Sequence, residues 1–326
     1  MRMCAIFPLA GLVISGLFST IIRENSGYER VDFATGHSNI RNERLNSSQS
    51  KRTFSPQFKW GHALEMTISP QDAPLSWFLP NSGIVRSKSG VKKLAEEQGA
   101  IIRGDTGKKE LALVFTGDEF ADGADHIRAV LAKYHIKASF FLTGNFYRNP
   151  AFRAAILALK ADGHYLGAHS DKHLLYCDWN NRDSLLITQE QFFADLQANY
   201  SVMEQFGIQK SHAKYFLPPY EWYNSTIADW TQQFGLQLIN FSPGTKSHTD
   251  WTYPELGKSY HSSDDILKSI LKFEQSHPDG LNGFILLLHV GSDPRRLDKF
   301  YLKLEDLILE LTKATYRFKR IDELLE

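Results

Sequence analysis

The chain has 326 residues, with 37 basic and 37 acidic side chains, so its formal net charge is zero. With no dense basic block, that balance excludes nucleic-acid binding through bulk charge. Hydrophobic residues make up 42% and charged ones 23%, which excludes disorder of the whole chain and leaves room for one large domain or two modest ones. The two cysteines, Cys4 and Cys177, exclude a disulfide framework. Aromatics reach 13%, an excess that suits a sugar-handling protein without establishing one.

From Met3 to Ile22 no residue is charged, with Arg2 before the run and Arg23 after it. Residues 1–25 therefore read as a signal peptide for export or, uncleaved, as a membrane anchor, the only contact with a membrane that the sequence predicts. Residues 26–53 read as a flexible tether, because from 36 to 53 only Ile40 and Leu45 are large and apolar. Residues 54–110, with four prolines between positions 56 and 80, predict an irregular extension, a small flap or extra strands packed on the main domain.

From Leu111 onward short apolar runs alternate with amphipathic stretches. The runs are 111–115, 138–142, 165–169, 215–219, 236–241, 284–290 and 316–321. Helices are expected near 123–134, 150–162, 188–206, 224–234, 262–276 and 297–314. Strands apolar on both faces, each followed by a helix, imply a parallel sheet covered by helices, and about seven of them suit an α/β barrel over residues 111–326.

In such barrels chemistry gathers where strands end. Here the ends carry Asp118 and Glu119, then His169 and His173, then Tyr220, Asp250-Trp251 and His289. His169 and His173, spaced i, i+4, are expected on one side of a helical turn, where two neutral imidazoles suit zinc or a similar ion. Each residue has a plainer explanation: capping histidines, a satisfied core histidine at His289, a helix cap at Asp250, an aromatic cover at Tyr220. Their shared position at strand ends is what the plainer explanations leave out.

This order resembles the polysaccharide deacetylases of the NodB-homology type, carbohydrate esterase family 4. That family carries a Thr-Phe-Asp-Asp first motif, His-Ser/Thr-x-x-His, Arg-x-Pro-Tyr, Asp-Trp and Leu-x-His. The second motif stands here as His169-Ser170-Asp171-Lys172-His173, the fourth as Asp250-Trp251 and the fifth as Leu287-Leu288-His289, while residues 137–144 resemble the family's second strand. The resemblance covers residues 111–326 and implies a distorted (β/α) barrel that removes N- or O-linked acetyl groups from a polysaccharide or oligosaccharide. It implies one divalent metal ion, zinc foremost with cobalt or nickel as alternatives, held by Asp118, His169 and His173. Water activated by that metal would attack the acetyl carbonyl, the Tyr220 N–H would face the oxyanion, and His289, oriented by Asp250, would be the general acid.

Two motifs depart from the family. Gly117 stands where the first motif has its catalytic base, and Leu217 where the third has the arginine paired with that base. A one-residue slip would instead set Asp118 over the base and Glu119 over the metal ligand. Glu119, Asp122 and Glu221 are near enough in sequence to replace the base; Glu119 and Asp122 lead, with a helix N-cap as the alternative for Asp122. Trp222 and Trp251, together with Tyr220, are the expected substrate-binding aromatics, and Trp179, Tyr223 and Tyr253 lie close enough to join them or to pack in the barrel mouth. Cys177 is expected to be a small buried apolar group. The partner is thus an acetylated glycan, with no nucleic acid and no protein partner indicated. Two other readings stand beside the enzyme: a non-catalytic relative that binds carbohydrate, and a metal-dependent amidase acting on a non-sugar substrate.

Overall fold

The computed structural model describes residues 94–326. The expected signal or anchor, the tether and residues 54–93 of the extension lie outside the described residues. Among the described residues no helix is long and apolar enough to cross a membrane.

Among the described residues nine strands form one sheet. They are β1 (Ala95–Glu97), β2 (Ala100–Arg103), β3 (Glu110–Gly117), β4 (Ser139–Leu142), β5 (Tyr165–Ala168), β6 (Tyr215–Phe216), β7 (Gln237–Leu238), β8 (Phe284–His289) and β9 (Arg317–Lys319). The spatial order is β1-β2-β8-β3-β4-β5-β6-β7, and β9 pairs with the start of β3. All pairings from β3 onward are parallel, as the doubly apolar runs require, while β1 and β2 run antiparallel.

The sheet curls until its two ends meet. β2 pairs with β8 on one side, and on the other Ile101 bridges Ile239, just past β7. The Asn240 N–H donates to the Ile101 carbonyl at 2.9 Å, and the Ser242 hydroxyl donates to that of Ile102 at 2.5 Å. Residues 95–103, part of the stretch read as an extension, thus supply the strand that seals a distorted (β/α) barrel.

Side chains alternate across β3. Ala112 and Val114 point inward to join Phe141, Leu217, Ile239, Ile285 and Leu287 in the barrel interior, while Leu111, Leu113 and Phe115 pack outward under the helices. All of these are buried, so truncating one, Leu287→Ala for example, costs about 2–5 kcal/mol.

Among the described residues eight α-helices surround the sheet: α1 (Ala124–Lys133), α2 (Gly144–Arg148), α3 (Arg153–Ala161), α4 (Gln189–Glu204), α5 (Ser225–Gln233), α6 (Ser263–Ser276), α7 (Leu304–Lys313) and α8 (Ile321–Leu325). Their starts follow side-chain caps: Thr143 for α2, the Thr188–Gln191 capping box for α4, Asn224 for α5 and Ser262 for α6. Two short helices differ from expectation. α2 is a single capped turn too brief to show periodicity, and α8 begins at Ile321, which the strand pattern had absorbed.

Candidate active site

Asp118, His169, Tyr220 and His289 stand just past the C-terminal ends of parallel strands or at them, where the barrel opens. Asp118 follows β3. Its carboxylate accepts from the Thr143 hydroxyl at 2.7 Å and from the Asn145 amide at 3.4 Å, so the cap of α2 also steadies the acid.

His169 follows β5. Its ring Nδ1–H donates to the Leu217 carbonyl at 2.8 Å, which leaves Nε2 as the donor atom facing outward to a ligand. Burial, then the neighbouring His173, push its pKa well below the ordinary histidine value, so the ring is neutral. Burial likewise lowers the pKa of His173, against the opposing pull of Asp118.

The two rings sit 5.0 Å apart, but not on a helical turn. Residues 169–176 are irregular, and Ser170 (φ 72°) and His173 (φ 54°) are both left-handed. The helical turn expected from the i, i+4 spacing is thus absent: a loop, not a helix, folds the imidazoles together. Asp195 of α4 holds that loop. Its carboxylate accepts from the Ser170 hydroxyl at 2.7 Å, the Asp171 N–H at 2.8 Å and the Lys172 N–H at 3.1 Å. One turn on, Asn199 accepts from the His169 N–H at 3.1 Å. The sequence reading missed both. Their signal was polar side chains on a face otherwise made by Phe192, Leu196, Tyr200 and Met203.

His289 ends β8. Its Nδ1–H donates to Asp250 Oδ1 at 2.6 Å and its backbone N–H to Oδ2 at 3.0 Å. Burial opposes the imidazolium, but the Asp250 charge and hydrogen bond, with Glu221, outweigh it and raise the pKa above the ordinary value. The Asp250 turn is anchored in part by Arg296, which is fully buried and donates to the Thr252 carbonyl at 2.6 Å and to the Ser263 hydroxyl at 3.0 Å. Nothing in the sequence distinguished it from a surface arginine.

The two leading substitutes for the base lie elsewhere. Glu119 is exposed and, with Asp122, lines a separate hollow of about 860 Å³ over α1 and α3. Asp122 braces the mouth of the barrel: it accepts from the Ser292 N–H at 2.9 Å and the Tyr301 hydroxyl at 3.1 Å and pairs with Lys299 at 3.0 Å. It does not cap α1, whose N-cap is Gly123 with no side-chain bond. Leu217 is buried in the barrel interior, and a Cβ on Gly117 would fall 2.9 Å from both Leu142 Cδ2 and Phe146 Cε2. A side chain at position 117 would have to displace both neighbours.

Aromatic rings rim the opening. Trp179 stacks on Trp222 at 5.7 Å and meets the edge of Tyr220 at 5.7 Å, and Tyr220 lies 4.4 Å from His173. Trp179, Tyr220 and Trp251 are exposed, whereas Tyr223 is buried with its hydroxyl on the Glu97 carbonyl and Tyr253 lies under Arg295. Cys177 is buried and unoxidised, as expected.

The chemistry of the Asp118, His169 and His173 donor set fits a divalent transition metal: two neutral imidazoles, one with its far nitrogen tied to a carbonyl, and a carboxylate beside them. Among the described residues the three do not converge into a ready-made coordination group. Asp118 is turned to Thr143 and Asn145 instead.

A parallel barrel whose strand ends carry an imidazole pair, a carboxylate and a carboxylate-backed histidine is a hydrolase architecture. Residues 103–239 match the family model for polysaccharide deacetylase. Among curated proteins, the peptidoglycan-N-acetylmuramic acid deacetylase PdaA of Bacillus subtilis is 25% identical over 281 residues, covering 86% of this chain and 90% of that one. The structure of that PdaA, a family 4 carbohydrate esterase, superposes with a TM-score of 0.54 at 25% identity over 70% of this chain and 85% of the other. BA3943 of Bacillus anthracis, a CE4 family pseudoenzyme, shares the fold with a TM-score of 0.56 at 20% identity, over 71% of this chain and 70% of the other. Residues 103–239 are thus similar to the polysaccharide deacetylases, and the fold is that of the carbohydrate esterase family 4 structures.

Proposed function

We propose that the chain is an exported, metal-dependent deacetylase of a glycan, with Asp118, His169 and His173 holding the ion, zinc foremost. One observation carries this reading: His289 is gripped twice by Asp250, whose charge and hydrogen bond raise its pKa against the opposing effect of burial. A module that only binds sugar has no use for such an acid. A bound divalent ion would supply a Lewis acid that acidifies water and polarises the acetyl carbonyl.

The chain's own groups do the rest. His169 and His173 present neutral nitrogens. The Tyr220 backbone N–H faces the developing oxyanion, and the outward Nε2–H of His289 protonates the leaving nitrogen or oxygen. Asp250 holds that imidazole in the tautomer that puts the mobile proton on Nε2. Trp179, Tyr220 and Trp251 offer exposed faces on which sugar rings stack. The N-acetyl specificity named for PdaA supports an N-acetylated sugar polymer as substrate, and the uncharged run from Met3 to Ile22 supports export.

Acetate release tests the reading. The full chain is supplied with zinc, cobalt or nickel and offered acetylated chitooligosaccharides, acetylxylan and peptidoglycan fragments, beside a His169→Ala control. Metal-dependent release that the control lacks is expected. The absence of a base at Gly117 and of the arginine at Leu217 favours a second reading, a carbohydrate-binding relative without catalysis. Saturable oligosaccharide binding with no acetate from any substrate would establish that one.

A further inference from the structure

We propose that Glu221 is the general base, supplied by the third motif in place of the residue that Gly117 cannot carry. The inference rests on the hydrolase reading above and names the group that reading lacks.

The placement comes from the backbone. After Pro218 and Pro219 the chain turns through two consecutive left-handed residues, Tyr220 (φ 58°) and Glu221 (φ 54°). Two side-chain-bearing residues in that region cost on the order of 1 kcal/mol or more each, and such strain persists where the surroundings hold it. Here the Glu221 N–H donates to the Pro218 carbonyl at 3.1 Å and its carbonyl accepts from the Asn240 amide at 2.9 Å. The turn that lays Tyr220 against His173 also sets Glu221 beside His289 and Asp250.

The carboxylate is half-buried, and among the described residues no donor satisfies it. The charged groups that face it are His289 from β8 and Asp250 from the turn that grips His289. An acidic group without a partner in a cleft is costly unless a ligand or a reacting molecule completes it. Desolvation pushes its pKa up to about 7, helped by Asp250 and opposed by His289, which is the range in which a carboxylate accepts a proton effectively at neutral pH. The other acidic candidates are otherwise engaged: Asp122 is committed to Lys299, Tyr301 and Ser292, Glu119 is out in solvent, Asp250 serves His289, and Asp118, the base under a one-residue slip, is bonded to Thr143 and Asn145.

The step balances. Glu221 takes one proton from a water molecule as the oxygen of that water bonds to the acetyl carbon. His289 gives a proton to the leaving nitrogen as the carbon–nitrogen bond breaks, yielding acetic acid and the amine. The proton on Glu221 then returns through solvent to His289.

The decisive variant is Glu221→Gly. Glycine suits φ 54° better than glutamate does, so this variant keeps or gains thermal stability. With the full chain, metal and acetylated chitooligosaccharide, kcat falls roughly 10²- to 10⁴-fold while KM and bound metal stay unchanged. Added formate restores part of the rate in Glu221→Gly, a rescue that a merely structural role would not produce; Glu119→Gln keeps wild-type rates. Wild-type activity in Glu221→Gly with no response to formate overturns the assignment and leaves the hydrolase reading standing. A wild-type chain that binds the oligosaccharide but releases no acetate with any metal overturns that reading, and the role of Glu221 with it.

Discussion

Asp250 holds His289 by both of its oxygens, one on the ring Nδ1–H and one on the backbone N–H of the same residue. The double grip fixes the imidazole at the end of β8 and sets its charge. Because the folded pKa is raised above the unfolded value of about 6.5, the stabilisation is fully present below that value and fades as pH rises through the folded pKa. Asp250→Asn removes the charge but leaves the burial. The variant should lose more stability at about pH 5.5 than at about pH 8.5 in urea unfolding. Its ring should titrate below the wild-type value in an NMR titration, and the alkaline limb of acetate release should move to lower pH with it.

Gly117→Asp tests the alignment that sets Gly117 over the base of the first motif, and it should fail here. The new Cβ meets Leu142 and Phe146, both fully buried, so the variant is destabilised by about 1–3 kcal/mol through overpacking. Thermal unfolding reads the loss, and acetate release should not rise. A stable variant with higher activity would show that β3 can rotate its end into the cleft.

Asp195 makes no contact with any reacting group, yet three donors of the histidine loop end on it. Asp195→Ala leaves them unsatisfied at a cost of about 1–3 kcal/mol. Since the same loop places His169 and His173, affinity for zinc should fall roughly 10- to 100-fold, as measured by calorimetric titration. Unchanged metal affinity in a folded variant would mean that β5 alone positions the histidines.

How much of this was legible follows from what each feature depends on. The seven parallel strands were readable because runs such as Leu111–Phe115 and Phe284–His289 are apolar on both faces, a local signature of a covered sheet. The sealing strand β2 was not. Its place is set by Ile101 meeting Ile239, a contact between residues far apart in the chain, and its own composition, Ala-Ile-Ile-Arg, is ordinary. At the site, the candidate residues could be named from the sequence but their conformations could not. His169 and His173 announced themselves, but the left-handed Ser170 that folds them together did not. Glu221 was one of three acidic candidates by sequence distance, and ranked behind two others. Only the backbone turn at Tyr220 separates it from Glu119 and Asp122, because sequence distance carries no direction.

The exposed aromatics offer the most direct reading of the substrate. Trp179 rests on Trp222, which is itself pinned by an indole N–H donated to the Asp178 carbonyl at 3.2 Å and by Arg182 lying 4.5 Å over its face. The platform is thus rigid before any sugar arrives, and its outer face remains 55% exposed at Trp179. Trp179→Ala removes a stacking face without opening the core, so stability should change by no more than about 0.5 kcal/mol. A lost ring stack is worth about 0.5–1.5 kcal/mol, so KM for an acetylated oligosaccharide should rise roughly 2- to 10-fold with kcat unchanged. Trp251→Ala, which lies beside Asp250 on the other side of the acid, should raise KM as well. If the two effects on transition-state free energy add, both rings contact separate sugars and the substrate spans the cleft. If one ring matters for long oligosaccharides and not for short ones, the chain lies across that side of the barrel mouth alone.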